Sequence, residues 1–294
     1  MRHIPIWLLA LVIGCGDGGG GAEAPPSSGP PVASSDGSGG SGGAAGTFGK
    51  STTVNGISRT YALHVPASAM TALAAGPVPL VIAFHGAGDT GSNFIAATGL
   101  SSTASGNGFI VVGADGYPGS GGVRGWFLGA SEGWPGTDGY SNSYPNDLAF
   151  ATQIRNEVGA LYDVSTKRVF ACCFSRGAGF AVFLAEASGN PGVLSGTWSS
   201  PFAAYGASAG YDPFGGSLTL AGTTPKRPVW MIHGTNDAAV PYSQGQGCAT
   251  ALSAAGFPTT FTTVTGAPHA WLWSPGYGHG NQELVDYFMA NALP

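Results

Sequence analysis

Charged side chains are scarce in this sequence of 294 residues: Asp, Glu, Lys and Arg make up 9%, against about 25% in typical soluble domains. The formal net charge is −5, and the ten Lys and Arg residues form no basic patch. A nucleic acid is therefore not an expected partner, because its phosphates would find no cationic surface. The polar surface must instead come from Gly, Ser, Thr and Asn, as is common in exported enzymes that act on neutral or insoluble substrates.

Cysteine is also rare, with four in the chain. Three lie beyond residue 15, namely the adjacent Cys172 and Cys173 and the distant Cys248, and an odd number cannot pair completely. Two possibilities stay open: one disulfide from Cys248 to either neighbour, or three small buried thiols. The spacing matches no zinc site, and the sequence predicts neither a metal nor an organic cofactor.

The apolar run at the N-terminus is too short to span a bilayer, because Ile4–Ile13 has ten residues and a crossing needs about 20. Behind Arg2 and His3, such a run predicts an export signal over residues 1–15. It ends in Gly14-Cys15, which resembles a bacterial lipobox, so Cys15 is predicted to carry lipid. An ordinary signal peptide is the alternative. We expect an extracellular or cell-surface protein that meets a membrane only through this anchor.

Residues 16–48 consist almost entirely of Gly, Ser, Pro and Ala. Their few apolar side chains cannot offset the entropy lost on ordering, so the segment is predicted to be a disordered tether. Residues 49–294 are predicted to form one folded domain, which we expect to be monomeric.

From residue 49 onward, short β-rich runs alternate with helix-like stretches. This pattern predicts an α/β fold with a mostly parallel sheet and helices on both faces. Parallel sheets bind ligands beyond the carboxyl ends of their strands, and each motif described below follows a predicted strand. Predicted strands cover 51–54, 60–65, 78–84, 109–114, 168–174, 228–232 and 261–264; predicted helices cover 146–161, 177–187, 243–255 and 282–293.

A candidate nucleophile, Ser175, lies where the predicted strand 168–174 gives way to a helix. This strand–turn–helix context is typical of a nucleophile elbow, in which a sharp turn exposes the serine hydroxyl. Gly177 provides the small residue that the close approach of helix and strand requires. Cys173 stands where the motif usually has Gly. The alternative is an ordinary serine in a Gly-rich loop.

The strand 78–84 is followed directly by His85-Gly86-Ala87-Gly88, a pattern typical of an oxyanion loop. We expect one backbone N–H from Gly86 or Ala87, and a second from Arg176, to stabilise a developing alkoxide. His85 is predicted to hold this loop rather than to carry protons.

The predicted acid is Asp237, in the loop after strand 228–232. Asp212 is the alternative, although its sequence context resembles a turn. With the acid at Asp237, the base must lie later in the chain, which leaves His269 and His279. His269 is preferred because it follows a strand and a short loop, whereas His279 lies beside the last predicted helix.

Several segments together resemble the feruloyl esterases, polyhydroxybutyrate depolymerases and related acetyl xylan esterases. The resemblance covers roughly residues 49–294 and implies the α/β-hydrolase fold and an acyl-enzyme mechanism of ester hydrolysis. It implies Ser175, Asp237 and His269 as the catalytic triad, and Asp147 as a structural residue. The segments that carry it are Arg59-Thr60-Tyr61, His85-Gly86-Ala87-Gly88, Ala114-Asp115-Gly116, Asn146-Asp147-Leu148-Ala149-Phe150, Phe174-Ser175-Arg176-Gly177, His233-Gly234-Thr235-Asn236-Asp237 and His269-Ala270-Trp271.

Four tryptophans in predicted loops are candidates for substrate binding. Trp126 and Trp134 lie in a long insertion, 119–144, and Trp271 and Trp273 follow the predicted base. Their rings could stack on an aromatic acyl group or on a sugar face. We therefore expect a polymeric substrate that carries feruloyl or acetyl esters, such as plant polysaccharide, with polyhydroxybutyrate as the alternative.

Two other classes of protein are less compatible with the sequence. A non-catalytic binding lipoprotein would not need a complete set of nucleophile, acid, base and oxyanion glycines. A peptidase usually needs charged groups to bind a peptide terminus, and a lipase usually has a long apolar lid; the sequence shows neither.

Overall fold

The computed structural model describes residues 36–119, 122–128, 144–193, 197–216 and 219–294. Within these ranges, no helix combines the length and the apolar character needed to cross a membrane. The strands are β1 (Gly46–Val54), β2 (Ile57–Val65), β3 (Val78–Phe84), β4 (Ile110–Ala114), β5 (Tyr117–Pro118), β6 (Arg124–Gly125), β7 (Val164–Phe174), β8 (Ala204–Ser208), β9 (Val229–Gly234) and β10 (Thr259–Val264). The α-helices are α1 (Ala67–Leu73), α2 (Gly91–Ala97), α3 (Leu100–Asn107), α4 (Tyr144–Leu161), α5 (Arg176–Ala187), α6 (Tyr242–Ala254) and α7 (Asn281–Ala290).

Eight strands form the central sheet, in the order β1-β2-β4-β3-β7-β8-β9-β10. The hairpin β1–β2 is antiparallel and joins β4 in the antiparallel direction, whereas the pairs from β4 to β10 are parallel. This arrangement confirms the predicted mostly parallel α/β sheet. The hairpin turns through Asn55 and Gly56, whose φ angles of 49° and 81° match the tight turn that strand twist favours.

Helices cover both faces of the sheet, as the contacts of β3 show. Its side chains alternate between two cores: Leu80, Ile82 and Phe84 lie with residues of α4, α5 and α6, and Val81 and Ala83 lie with residues of α2, α3 and α7. A strand that is buried on both faces has an unbroken run of apolar residues. That run made it possible to predict the bounds of β3 correctly from the sequence.

The sequence did not predict β8, Ala204–Ser208, nor helices α1, α2 and α3. β8 is fully buried between β7 and β9, yet its residues Ala-Tyr-Gly-Ala-Ser include no β-branched side chain. Its pairing on both edges, rather than its intrinsic propensity, therefore determines its conformation.

A buried ion pair ties the start of α4 to the hairpin side of the sheet. Arg59 Nη1 lies 2.7 Å from Asp147 Oδ1, and Asp147 Oδ2 accepts the N–H of Phe127 at 2.8 Å. The guanidinium also lies over the ring of Phe150, 4.2 Å from its centroid. These contacts agree with a structural role for Asp147.

The cysteines of the described residues are three free thiols. Cys172 and Cys173 lie on β7 and Cys248 on α6, and all three are buried. Burial raises the pKa of each thiol, so none is a reactive thiolate. Of the two possibilities left open by the sequence, the structure has three buried thiols; Cys15 lies outside the described residues.

Candidate active site

Ser175 occupies the sharp turn between β7 and α5. Its φ of 55° and ψ of −120° lie in a region that non-glycine residues rarely adopt, so the turn is strained. Its N–H donates to the Ser208 carbonyl of the neighbouring strand at 3.0 Å. A Cβ on Gly177 would lie 2.1 Å from the Phe84 carbonyl oxygen, so only glycine lets α5 begin this close to β3. Cys173, in place of the usual glycine, is buried in the core below.

His269 lies between the serine and a carboxylate. Its Nε2 is 2.8 Å from Ser175 Oγ, and its Nδ1 is 2.7 Å from Asp237 Oδ2. The carboxylate accepts only, so Nδ1 carries the proton and Nε2 is left to accept the serine hydroxyl. The imidazole side chain is 22% exposed, whereas the Asp237 side chain is 0% exposed and Ser175 is also buried, so solvent reaches the array at His269. The structure thus brings the three predicted residues together in one hydrogen-bonded row.

Asp237 is fixed by its own loop. Its Oδ1 accepts the N–H groups of Ala239 at 2.9 Å and Val240 at 2.8 Å, which leaves Oδ2 facing His269. His233 Nε2 lies 3.3 Å from Oδ2 and donates to the Val240 carbonyl at 2.9 Å. The sequence placed His233 in the same motif but assigned it no role; its position at the end of β9, directly before the acid loop, was the available signal.

The loops that carry the acid and the base pack directly on each other. A Cβ on Gly234 would lie 2.2 Å from the Ala267 carbonyl oxygen, and that carbonyl accepts the N–H of Asn236 at 3.0 Å. In the opposite direction, the N–H of Gly266 donates to Thr235 Oγ1 at 2.8 Å. These contacts make the two loops one unit, which sets the distance between Asp237 and His269.

The two alternative residues have other partners. Asp212 accepts the N–H groups of Phe214 at 2.8 Å and Gly216 at 2.6 Å, as expected of a turn residue. His279 Nδ1 lies 2.8 Å from Glu283 Oε2, one turn further along in α7. These contacts agree with the preference for Asp237 and His269.

The predicted oxyanion loop lies against the nucleophile. A Cβ on Gly86 would lie 3.3 Å from Ser175 Cβ, so a larger residue there would press on the serine. Ala87 is exposed, and among the described residues its N–H has no hydrogen-bond partner. Arg176 is the first residue of α5 and follows the serine directly. Both segments therefore lie beside Ser175.

His85 holds the oxyanion loop in place. Its Nε2 accepts the N–H of Gly116 at 2.8 Å, so its proton is on Nδ1, which donates to the Gly86 carbonyl at 2.6 Å. Burial lowers the pKa of His85, so the ring is neutral at pH 7. This geometry matches the structural role predicted for His85.

The prediction of four substrate-binding tryptophans is wrong for two of them. Trp126 and Trp273 are buried, 0% and 1% exposed, so neither ring can stack on a substrate. Both follow strand ends in sequence, but they fill the interior between elements that are distant in the chain. Trp271 is half-buried, packs edge-on against α2, and donates its Nε1–H to α7. Trp134 lies outside the described residues.

Phe174 is an aromatic residue that lies beside Ser175 and His269. The sequence patterns assigned it no role in the site. Its half-buried ring lies 4.8 Å from the His269 ring, and a Cβ on Gly86 would lie 3.2 Å from its Cδ1. Its place directly before Ser175 was the signal that could have identified it.

The sheet order, the strained turn and the three strand-end loops define the α/β-hydrolase fold, and solved structures share it. No protein-family model and no curated protein matches the chain. Esterase PE8 has a TM-score of 0.54 at 17% identity, over 78% of this chain and 97% of that protein. Acyl-protein thioesterase 2 of Zea mays has a TM-score of 0.53 at 19% identity, over 83% of this chain and 99% of that one.

A third similar structure is esterase 2 of the planctomycete Thermogutta terrifontis, with a TM-score of 0.57 at 19% identity, over 83% of this chain and 91% of that one. That enzyme has also been solved phosphonylated by cyclosarin. At these identities the likeness shows the fold, and the finer resemblance to feruloyl esterases and polyhydroxybutyrate depolymerases stays a prediction.

Proposed function

We propose that this chain is a serine carboxylic-ester hydrolase. The observation that carries the proposal is the continuous row from Ser175 Oγ through His269 to Asp237, with contacts of 2.8 and 2.7 Å. The α/β-hydrolase fold and the esterases that share it support the same chemistry.

In this mechanism Ser175 Oγ attacks the ester carbonyl carbon while His269 Nε2 takes the hydroxyl proton. Asp237 holds the imidazole in the Nδ1–H tautomer and stabilises the positive charge that develops on it. Backbone N–H groups of the Gly86-Ala87 loop and of Arg176 would stabilise the tetrahedral oxyanion. His269 then protonates the departing alcohol, and water, activated by the same ring, releases the acid from the acyl-enzyme.

The proposed substrates are feruloyl or acetyl esters on plant polysaccharide. The low charge of the chain suits a neutral polymer. Trp126 and Trp273 are buried, and among the described residues Phe174 offers a half-buried ring that lies beside both His269 and Gly86. A ring in that position can pack against an aryl acyl group.

The test compares kcat/KM for methyl ferulate and acetylated xylan with release of hydroxybutyrate from a polyester film. We expect hydrolysis of the first two and little release from the film. Efficient release from the film with no activity on methyl ferulate would make the protein a polyester depolymerase. No hydrolysis of any ester by folded protein would contradict the proposed function itself.

Matched variants locate the acyl-binding surface. Phe174→Leu should lower kcat/KM for methyl ferulate about 3- to 10-fold, and should change it much less for ethyl acetate, because only the aryl acyl group loses an aromatic contact. Phe48→Leu is the control, because it makes the same substitution on β1, the edge strand at one end of the sheet order. Equal losses on both esters in Phe174→Leu would mean that the ring positions His269 and does not contact the acyl group.

We also propose that the protein is exported and anchored through lipid on Cys15. The support comes from the sequence alone: a short apolar run, a Gly-Cys junction and a tether poor in apolar residues. Mass spectrometry of the mature N-terminus should find lipid on Cys15, and Cys15→Ser should abolish it. An unmodified N-terminus at another residue would reject the anchor.

A further inference from the structure

Trp126 connects the two segments that lie beside Ser175, the loop after β3 and the start of α5. Its Nε1–H donates to the carbonyl of His85 at 2.9 Å, and its own carbonyl accepts the Nε–H of Arg176 at 2.9 Å. Two residues earlier, the Arg124 carbonyl accepts the N–H of Gly88 at 2.8 Å. Residues 124–126, here called the brace segment, therefore bond to the loop after β3 and to the first residue of α5.

Packing contacts also fix the indole ring of Trp126. It is fully buried and stacks face to face on Phe180 of α5, with centroids 5.0 Å apart and an angle of 9°. It also meets Phe84 of β3 edge-on at 5.0 Å and 87°. Both rings belong to the elements that the hydrogen bonds join, so a shift of either element would disturb both kinds of contact.

We propose that Trp126 is a positioning residue, which holds the oxyanion loop and the start of α5 at the separation that the tetrahedral intermediate requires. The inference rests on the proposed function. Oxyanion donors act because they are fixed before the charge develops, and small displacements of them are costly. The two segments already pack closely at Gly86 and Gly177, and a residue that bonds to both adds hydrogen bonds that resist any change in their separation. The brace segment also gives a role to the beginning of the 119–144 insertion.

A purely structural tryptophan would have a different signature. Its loss would lower the amount of folded enzyme, whereas each folded molecule would turn over normally. Loss of a positioning residue instead lowers kcat for each folded active site. It also weakens an inhibitor that forms an oxyanion, such as a trifluoromethyl ketone, while KM changes little.

The experiment uses Trp126→Phe, which keeps an aromatic ring but removes the Nε1–H. Active sites are counted by titration with a fluorophosphonate, and kcat is expressed per titrated site. We expect kcat for p-nitrophenyl butyrate to fall about 10- to 100-fold with KM within about threefold. The inhibition constant of the trifluoromethyl ketone should rise by the same factor as kcat/KM falls.

Trp230→Phe is the matched control. Its Nε1–H donates to Thr262 Oγ1 at 2.9 Å, so the same substitution removes a hydrogen bond of the same length away from Ser175. It should keep kcat per titrated site within about twofold.

Arg176→Met, whose side chain has no hydrogen-bond donor, removes the other hydrogen bond of the brace, from Arg176 Nε to the Trp126 carbonyl, and is used if Trp126→Phe does not fold. It should lower kcat in the same way, and the double variant should lose less than the product of the two single losses, because both act on one connection.

Unchanged kcat and inhibitor affinity in Trp126→Phe and Arg176→Met would overturn the inference and leave the proposed hydrolase function intact. An inactive wild type that reacts with no fluorophosphonate would instead overturn the proposed function.

Discussion

Two pairs of segments lie on either side of Ser175, and different kinds of contact hold each pair together. On the acid–base side, the loops after β9 and β10 carry Asp237 and His269, and these loops bond directly to each other. On the predicted oxyanion side, the loop after β3 and the start of α5 pack closely at Gly86 and Gly177, and the hydrogen bonds that connect them run through Trp126, which belongs to neither. The first arrangement is encoded within the motifs themselves, whereas the second depends on a residue that no motif includes.

This difference matters for how each side should respond to substitution. The acid and base form one hydrogen-bonded row with the nucleophile, so removal of either should stop proton transfer. The predicted oxyanion side would use several backbone donors, so removal of one contact there should reduce the rate without abolishing it.

The largest expected effect is on the acid–base side. His269→Ala should lower kcat for p-nitrophenyl acetate at least about 10³-fold, because Ser175 loses its general base. His279→Ala, which breaks only the contact with Glu283, should retain activity within about twofold. The reverse pattern would assign the base to His279, and the loop after β10 would then not carry the base.

A second test is a pair of glycines in α6. A Cβ on Gly245 would lie 2.1 Å from His233 Nδ1, so Gly245→Ala must displace the ring that supports the acid loop. We expect a loss of about 1–3 kcal/mol in stability and about a tenfold loss of kcat.

The control is Gly247→Ala, where the new Cβ would meet open space. Because alanine favours a helix over glycine, it should stabilise the protein by about 0.5–1 kcal/mol with unchanged kcat. Urea unfolding and steady-state assays measure both variants. Equal behaviour of the pair would show that His233 gives the acid loop no support.

The smallest effect concerns His85 on the oxyanion side. Its pKa in the folded protein is lowered by burial, so below about pH 6.5 the unfolded chain takes up a proton that the folded protein resists. This contribution to stability is present above pH 6.5 and is lost as the pH falls. The stability advantage of wild type over His85→Gln should therefore shrink from pH 8 to pH 5 in urea unfolding; a constant difference would mean that His85 protonates freely in the fold.

Local patterns predicted most of the sheet and the three residues that the structure places in one row. The unbroken apolar run of β3 and the strand–turn–helix around Ser175 can be recognised from neighbouring residues. β8 could not be predicted, because its short, weakly β-forming sequence is a strand only through pairing on both edges.

The tryptophan predictions failed for a related reason. Trp126 and Trp273 follow strand ends in sequence, but their burial is determined by partners far away in the chain, such as Phe180 for Trp126 and Trp230 for Trp273. Position along the chain identifies which residues are near the edge of the sheet. It does not tell which way a side chain turns.

Covalent labelling with a fluorophosphonate, followed by peptide mass spectrometry, tests directly whether Ser175 is the nucleophile. In this reaction Oγ bonds to phosphorus, fluoride departs and His269 takes the proton, so labelling reports the activated serine. We predict one label per chain, located on Ser175, with loss of ester hydrolysis in proportion to labelling, and neither labelling nor hydrolysis in Ser175→Ala. Stoichiometric labelling of another serine, or a Ser175→Ala variant that keeps a tenth of wild-type activity, would show that Ser175 is not the nucleophile.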